Sequence, residues 1–234
     1  MKFQPFLVFV MSCLASVLSA DEDKSLVFSN SNADVGGAIV RAIVPEAASR
    51  FGYTVQFVHN PAERSLRLAE DGAVDGEGMR VRGLSSMYPN LIESNEPIFT
   101  TEFVTFQKRG KPQISSWDDL SGLDVGFIRG WKIVEQHEQS FGTAVPLTQP
   151  PQIFAMLAEG RLDVGIFTRT GGEFLLGLSE DAHIVASETP LAVQELVMYF
   201  HASHAELVPV FDASLREMKE DGTYDELLAL ATGK

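Results

Sequence analysis

Short extended runs alternate with helix-length segments along most of this chain, and that alternation constrains its fold more than any single motif. Residues Ser25 to Phe28 read as a strand, followed by a polar turn over Ser29 to Asp34. An apolar-periodic helix runs from about Val35 to Arg50 and stops at Gly52. Pro45 is expected to bend or split it. Tyr53 to His59 alternates as a second strand, with Val55, Phe57 and His59 on one face. Asn60-Pro61 then suits a helix start, the asparagine capping free N–H groups and the proline taking the first helical position. The helix from Ala62 places Leu66 and Ala69 on one stripe and stops at Asp71-Gly72, before a third strand from Val74 to Val81. Strands separated by helices of this length form parallel sheets with crossover helices.

Two longer extended runs break the pattern, Glu102 to Lys108 and Leu191 to Phe200. Between them the alternation restarts: a helical turn at Ser116 to Leu120, a strand at Val125 to Ile128, helices at Ile133 to Ser140 and Gln152 to Ala158, and a buried strand at Val164 to Phe167. After the second run come two helices, about Ala205 to Lys219 and Tyr224 to Ala231, with Thr223 placed to cap the second. Two crossings between two sheets imply an α/β chain of two lobes, each a sheet flanked by helices. The first lobe is discontinuous, residues 21–104 and 197–234, and the second spans 105–196.

Residues 1–20 read as a signal peptide: Lys2, an apolar stretch from Pro5 to Leu18, then Ser19 and Ala20 before Asp21-Glu22-Asp23. The stretch is shorter than the roughly 20 residues of a membrane span. Cleavage after Ala20 or after Ser19 both fit. A loose lipoprotein box, Val10-Met11-Ser12-Cys13, offers lipidation at Cys13 as an alternative. Cys13 is the only cysteine, so a processed chain has no disulfide, thiolate metal site or cysteine nucleophile. A net charge of -14 argues against a nucleic-acid partner. The expectation is a soluble periplasmic monomer.

Five segments, in order, resemble the type II periplasmic solute-binding proteins that serve amino-acid ABC transporters (bacterial extracellular solute-binding protein family 3). They are Arg64-Ser65-Leu66 through Asp71-Gly72-Ala73-Val74-Asp75; Asn95-Glu96-Pro97-Ile98; Asp119-Leu120-Ser121-Gly122-Leu123-Asp124-Val125-Gly126; Leu157-Ala158-Glu159-Gly160-Arg161-Leu162-Asp163-Val164; and Leu215 through Tyr224. The resemblance implies a two-lobed type II periplasmic binding fold that closes by a hinge on a small ligand, for an ABC permease or a membrane receptor. The crossings place that hinge near Val104 to Lys108 and Val197 to His201. There is one departure. Amino-acid binders usually carry a Thr-Pro-Glu-Arg segment after the third strand, and Gly83-Leu84-Ser85-Ser86-Met87 here has no arginine.

Ligands of open α/β sheets bind beyond the carboxyl ends of the strands. Arg80 and Arg82 follow the third strand, two apart and so on one side if the strand continues. Arg129 and Trp131 end the first strand of the second lobe, Thr168 and Arg169 end the next, Asn30 ends the first strand of all, and Arg64 begins a helix beside the cleft. The arginines suit a polar, acidic ligand gripped by forked hydrogen bonds, with Trp131 as a flat wall. They also suit pairing with the chain's own carboxylates, Glu77 and Glu93 among them. Asp75 and Asp163 read as structural. No cofactor, metal or catalytic residue is expected, the five histidines being dispersed. The rival readings are a dehydratase-like enzyme on the same fold, using Glu63, Glu77, Glu173 or a histidine, and a ligand-free interaction module.

Overall fold

The computed structural model describes residues 24–30, 35–177 and 183–233. The expected signal peptide, its cleavage site, Cys13 and most of the 29–34 turn lie outside the described residues. The first half is built on β1 (Lys24–Asn30), flanked in parallel by β2 (Tyr53–His59) and β3 (Gly76–Val81). Helices α1 (Val35–Ser49) and α2 (Ala62–Glu70) make the crossovers. The second half repeats this unit: β6 (Asp124–Ile128) lies between β7 (Thr143–Leu147) and β8 (Val164–Thr168), all parallel. Its helices are the short α3 (Lys132–Glu135), α4 (Pro150–Ala158) and α5 (Arg169–Gly177).

One aspartate recurs at the same point of each repeat. Asp75, just before β3, takes the Val27 N–H at 2.6 Å, and Asp163, just before β8, takes the Asp124 N–H at 3.1 Å. Each carboxylate fastens the entry of its strand to the neighbour, so both aspartates are structural. Asp75 also contacts His204 at 2.7 Å.

Two long strands join the halves. β5 (Phe99–Lys108) and β10 (Ala192–His201) run antiparallel, pairing Ala192 with Phe103 through to Leu196 with Phe99. From Leu196 onward β10 pairs with β3, and from Phe103 onward β5 pairs with β8. The strand order is therefore β2-β1-β3-β10-β5-β8-β6-β7, with β4 (Leu91–Glu93) on β10 and β9 (Ile184–Ala186) on β5. After β10 the chain returns to the first half as α6 (Val208–Asp221) and α7 (Thr223–Thr232). Phe211, Leu215 and Met218 of α6 join Ile39, Ile43, Phe28 and Phe200 in one core. The second half has a core on each face of its sheet, around Phe127 and Val134 on one side and Phe106, Ile153 and Phe167 on the other.

Several local expectations are corrected. Helix α1 passes through Pro45 without a break. Proline in a helix interior costs roughly 3 kcal/mol, but Val40, Ile43 and Val44 are fully buried on that helix and contribute about 1.5–3 kcal/mol each. Asn60 does not cap α2: Pro61 holds the cap position without a side-chain bond, and Asn60 Nδ2 donates instead to Ser29 at 3.1 Å. Thr223 likewise does not cap α7, whose cap is Gly222 with φ 86°; the Thr223 hydroxyl accepts from Arg50 at 3.1 Å. The helix expected over Ile133 to Ser140 is four residues of α-helix and a separate turn of 3-10 helix at Glu138–Ser140.

Candidate functional site

The carboxyl ends of the parallel strands of both halves meet over β5 and β10, and a cleft lies between them. The first half supplies Ile39, Met79, Arg80, Val81 and Leu84, and the second supplies Gly130, Trp131, Lys132, Ile133, Thr168 and Thr170. Phe99, Thr101 and Phe103 of β5 and Leu196 of β10 form the floor. About 60 Å³ is open to the centre of a water-sized sphere, room for on the order of five waters. Trp131 forms a fixed wall. Its ring stacks on Phe167 at 4.9 Å and 15° and meets Phe103 edge-on at 5.5 Å.

Arg80 reaches this cleft from the end of β3 and is only 6 % exposed. Its Nη2 lies 2.7 Å from Glu77 Oε1 and donates to the Ala62 carbonyl at 3.0 Å. Its Nε has no hydrogen-bond partner among the described residues. Glu77 is fully buried, and the Ser65 hydroxyl donates to its other oxygen and lies 2.7 Å from the Ser29 hydroxyl. A polar chain thus runs from the cleft into the first half: Arg80, Glu77, Ser65, Ser29, Asn60. Burial pushes the Glu77 carboxyl up, while Arg80 and Ser65 pull it back only in part. The guanidinium has a counter-charge at one nitrogen and donors to spare at the others.

A second ion pair crosses the cleft mouth. Lys132 Nζ, at the start of α3, lies 2.6 Å from Glu63 Oε2 on α2 and 2.8 Å from Glu135 Oε2. Burial pushes Lys132 down, but the hydrogen bonds to Glu135 and Glu63 outweigh it and its pKa is raised. Burial pushes Glu63 up, and Lys132 and Arg67 outweigh that to hold it below the usual carboxylate range. Beside the pair, Gly130 has φ 86°, and a Cβ there would sit 2.6 Å from the Glu63 amide nitrogen and 3.0 Å from Ala62 Cβ. The two halves touch at backbone distance because this residue has no side chain.

No family model matches the chain. An uncharacterised protein of Shewanella oneidensis is 26% identical over 195 residues, covering 78% of this chain and 72% of that protein. Among solved structures, an ancestral arginine-binding protein bound to arginine superposes with a TM-score of 0.75 at 18% identity, covering 87% of this chain and 96% of that one. The arginine-, lysine-, histidine-binding protein ArtJ of Geobacillus stearothermophilus gives 0.74 at 18%, covering 90% and 96%. A histidine kinase sensor domain similar to periplasmic binding proteins gives 0.76 at 19%, covering 89% and 96%. The chain has the two-lobed type II periplasmic binding fold.

Within that fold, three of the residues singled out in the sequence come together in the cleft: Arg80, Trp131 and Thr168. The other five lie elsewhere. Arg82 does not share a side with Arg80, because β3 ends at Val81 and the strand alternation ends with it. It is held by the protein itself instead, donating to Glu195 of β10 at 2.8 Å and to the carbonyls of Ser94 and Asn95 at 3.0 and 2.5 Å. Arg64 and Arg129 are exposed and outside the lining. Asn30 is buried at the end of β1, against Gly78, and its carbonyl accepts from Asn60. Arg169 reaches Glu102 and the Glu188 carbonyl.

Sequence reasoning missed Lys132, Glu63 as its partner, and the apolar floor. Lys132 follows Gly130-Trp131 at a strand end, so the rule that picked Trp131 had it in reach. Of the floor residues, Phe103 and Leu196 lie in the runs read as crossings and hinge, and Phe99 and Thr101 lie just before the first of them. No group of three or more His, Cys, Asp or Glu placed to hold a metal occurs among the described residues. Nor is any helix among them long and apolar enough to cross a membrane.

Proposed function

We propose that this protein is an exported binding protein that captures one small solute between its lobes and has no chemistry of its own. The observation that carries this is the cleft: it lies between the lobes at the strand ends, draws its walls from both, and is bridged at its mouth by Glu63 and Lys132. A ligand touching both walls favours the closed arrangement by its differential affinity. Neighbours of the same fold include arginine-binding proteins and a kinase sensor domain, which supports a role beside an ABC permease or a membrane receptor. Export rests on the leader in residues 1–20.

The lobe boundaries are proposed as 21–104 with 197–234 and as 105–196. The hinge is proposed at Phe99–Phe103 and Ala192–Leu196, just before the stretches expected from sequence. There β5 and β10 pair with each other, whereas beyond them each strand is fastened to one lobe. Bending about short segments between two packed bodies is the usual route of domain closure.

The test is a thermal-shift series against amino acids, carboxylates and sugars. At a hundredfold excess over its Kd a true ligand stabilises the folded state by about 2.7 kcal/mol. The expected result is a shift with one compound class that disappears when Trp131 is replaced by alanine. Stabilisation by no small solute in the series would overturn the reading and favour a ligand-free module.

A further inference from the structure

We infer that the solute is a small apolar carboxylate without a free ammonium group, such as a branched aliphatic or aromatic acid, rather than an amino acid. This rests on the binding-protein reading above and names the ligand class of the same cleft. The described lining contains two cations, Arg80 and Lys132, and no aspartate or glutamate. Its other polar side chains are threonine hydroxyls, at Thr101, Thr168 and Thr170.

An ammonium enclosed here would meet no lining carboxylate among the described residues. Burying a charge without a counter-charge is costly, and a hydroxyl does not replace one. The nearby carboxylates are already directed elsewhere: Glu77 to Arg80 and Ser65, Glu63 and Glu135 to Lys132. An anionic head is received differently. Arg80 is more than nine-tenths buried, borders the cleft, and keeps a buried Nε without a partner. A carboxylate beside that guanidinium gains charge-assisted hydrogen bonds where water is excluded.

The rest of the ligand must be apolar and small. The same lining holds Trp131, fixed by its stack on Phe167, and the apolar floor of Phe99, Phe103 and Leu196.

Matched pairs differing only in the ammonium group test this by isothermal titration calorimetry of the folded protein: 4-methylpentanoate against L-leucine, and 3-phenylpropanoate against L-phenylalanine. 4-Methylpentan-1-amine serves as the cation-only probe and L-arginine as the neighbours' ligand. The expected result is that an acid binds at least tenfold tighter than its amino counterpart and that the amine does not bind. The acid should also lose at least tenfold in Arg80→Met/Glu77→Gln, a double variant that removes both charges and leaves neither buried alone. Equal or tighter binding of the amino acid, binding of the amine, or indifference to the double variant overturns the proposal. Binding of L-arginine alone overturns the ligand class and leaves the binding-protein reading standing. Silence from all of these and from the wider thermal-shift series overturns both.

Discussion

At the scale of single residues, the cleft depends on charges that cannot be removed one at a time. Arg80→Met leaves Glu77 buried with its cation gone, a change expected to cost about 3–5 kcal/mol. Glu77→Gln on that background should recover much of the loss, as chemical denaturation of the two variants would show. The single variant should also depend on pH. Burial already raises the Glu77 pKa, and loss of Arg80 raises it further. A carboxyl whose folded pKa exceeds its unfolded value of about 4.3 contributes full stability below that value and loses it as pH rises through the folded one. Arg80→Met should therefore be less destabilised near pH 4 than at pH 7, and an equal deficit at both would contradict the buried pair.

Gly130→Ala tests the other wall. It meets a left-handed backbone, which costs an L-residue about 1–2 kcal/mol, and an overlap with Glu63 that exists only when the lobes touch. Ligand affinity should fall by more than stability does, measured by titration and melting on the same sample. Arg80, Trp131 and Thr168 could be placed in the cleft from sequence because they stand at strand ends, and the fold puts the cleft there. Arg80 and Arg82 part because β3 ends between them: Arg80 lines the cleft, whereas Arg82, one residue past the strand, is held by Glu195 and the Ser94 and Asn95 carbonyls.

At the scale of elements, the parallel units were legible because apolar periodicity and turn residues agree over most of their length. The elements that escaped did so for identifiable reasons. β7 contains Pro146, which reads as a strand breaker but is tolerated because β7 is an edge strand. α5 carries Gly171-Gly172 in its first turn, a pair that argues against a helix by propensity, yet Gly172 is where the helix packs on β5: a Cβ there would lie 2.1 Å from Phe106 Cζ. Gly172→Ala is accordingly expected to destabilise by about 1–3 kcal/mol through overpacking, although alanine is the better helix former. A stabilised variant in urea denaturation would show that α5 stands off from Phe106.

For the whole molecule, two lobes and two crossings could be read from the chain, whereas contact between the lobes could not, because Glu63 and Lys132 are 69 positions apart. Their pairing gives stability a pH dependence with a definite sign. Glu63 is held below its ordinary pKa, so its contribution is present above about 4.3 and disappears as pH falls through the depressed value. The stability of the ligand-free wild-type protein relative to Glu63→Gln should hold from neutral pH to about 5 and shrink below 4, as denaturation of the two across that range would show.

The central claim, that the cleft holds one small solute, is tested most directly by native mass spectrometry of protein purified without refolding, beside the Arg80→Met/Glu77→Gln variant. A single small-molecule adduct, one per chain, is expected on the wild-type protein and none on the variant. An adduct retained equally by both would contradict the assignment of the site.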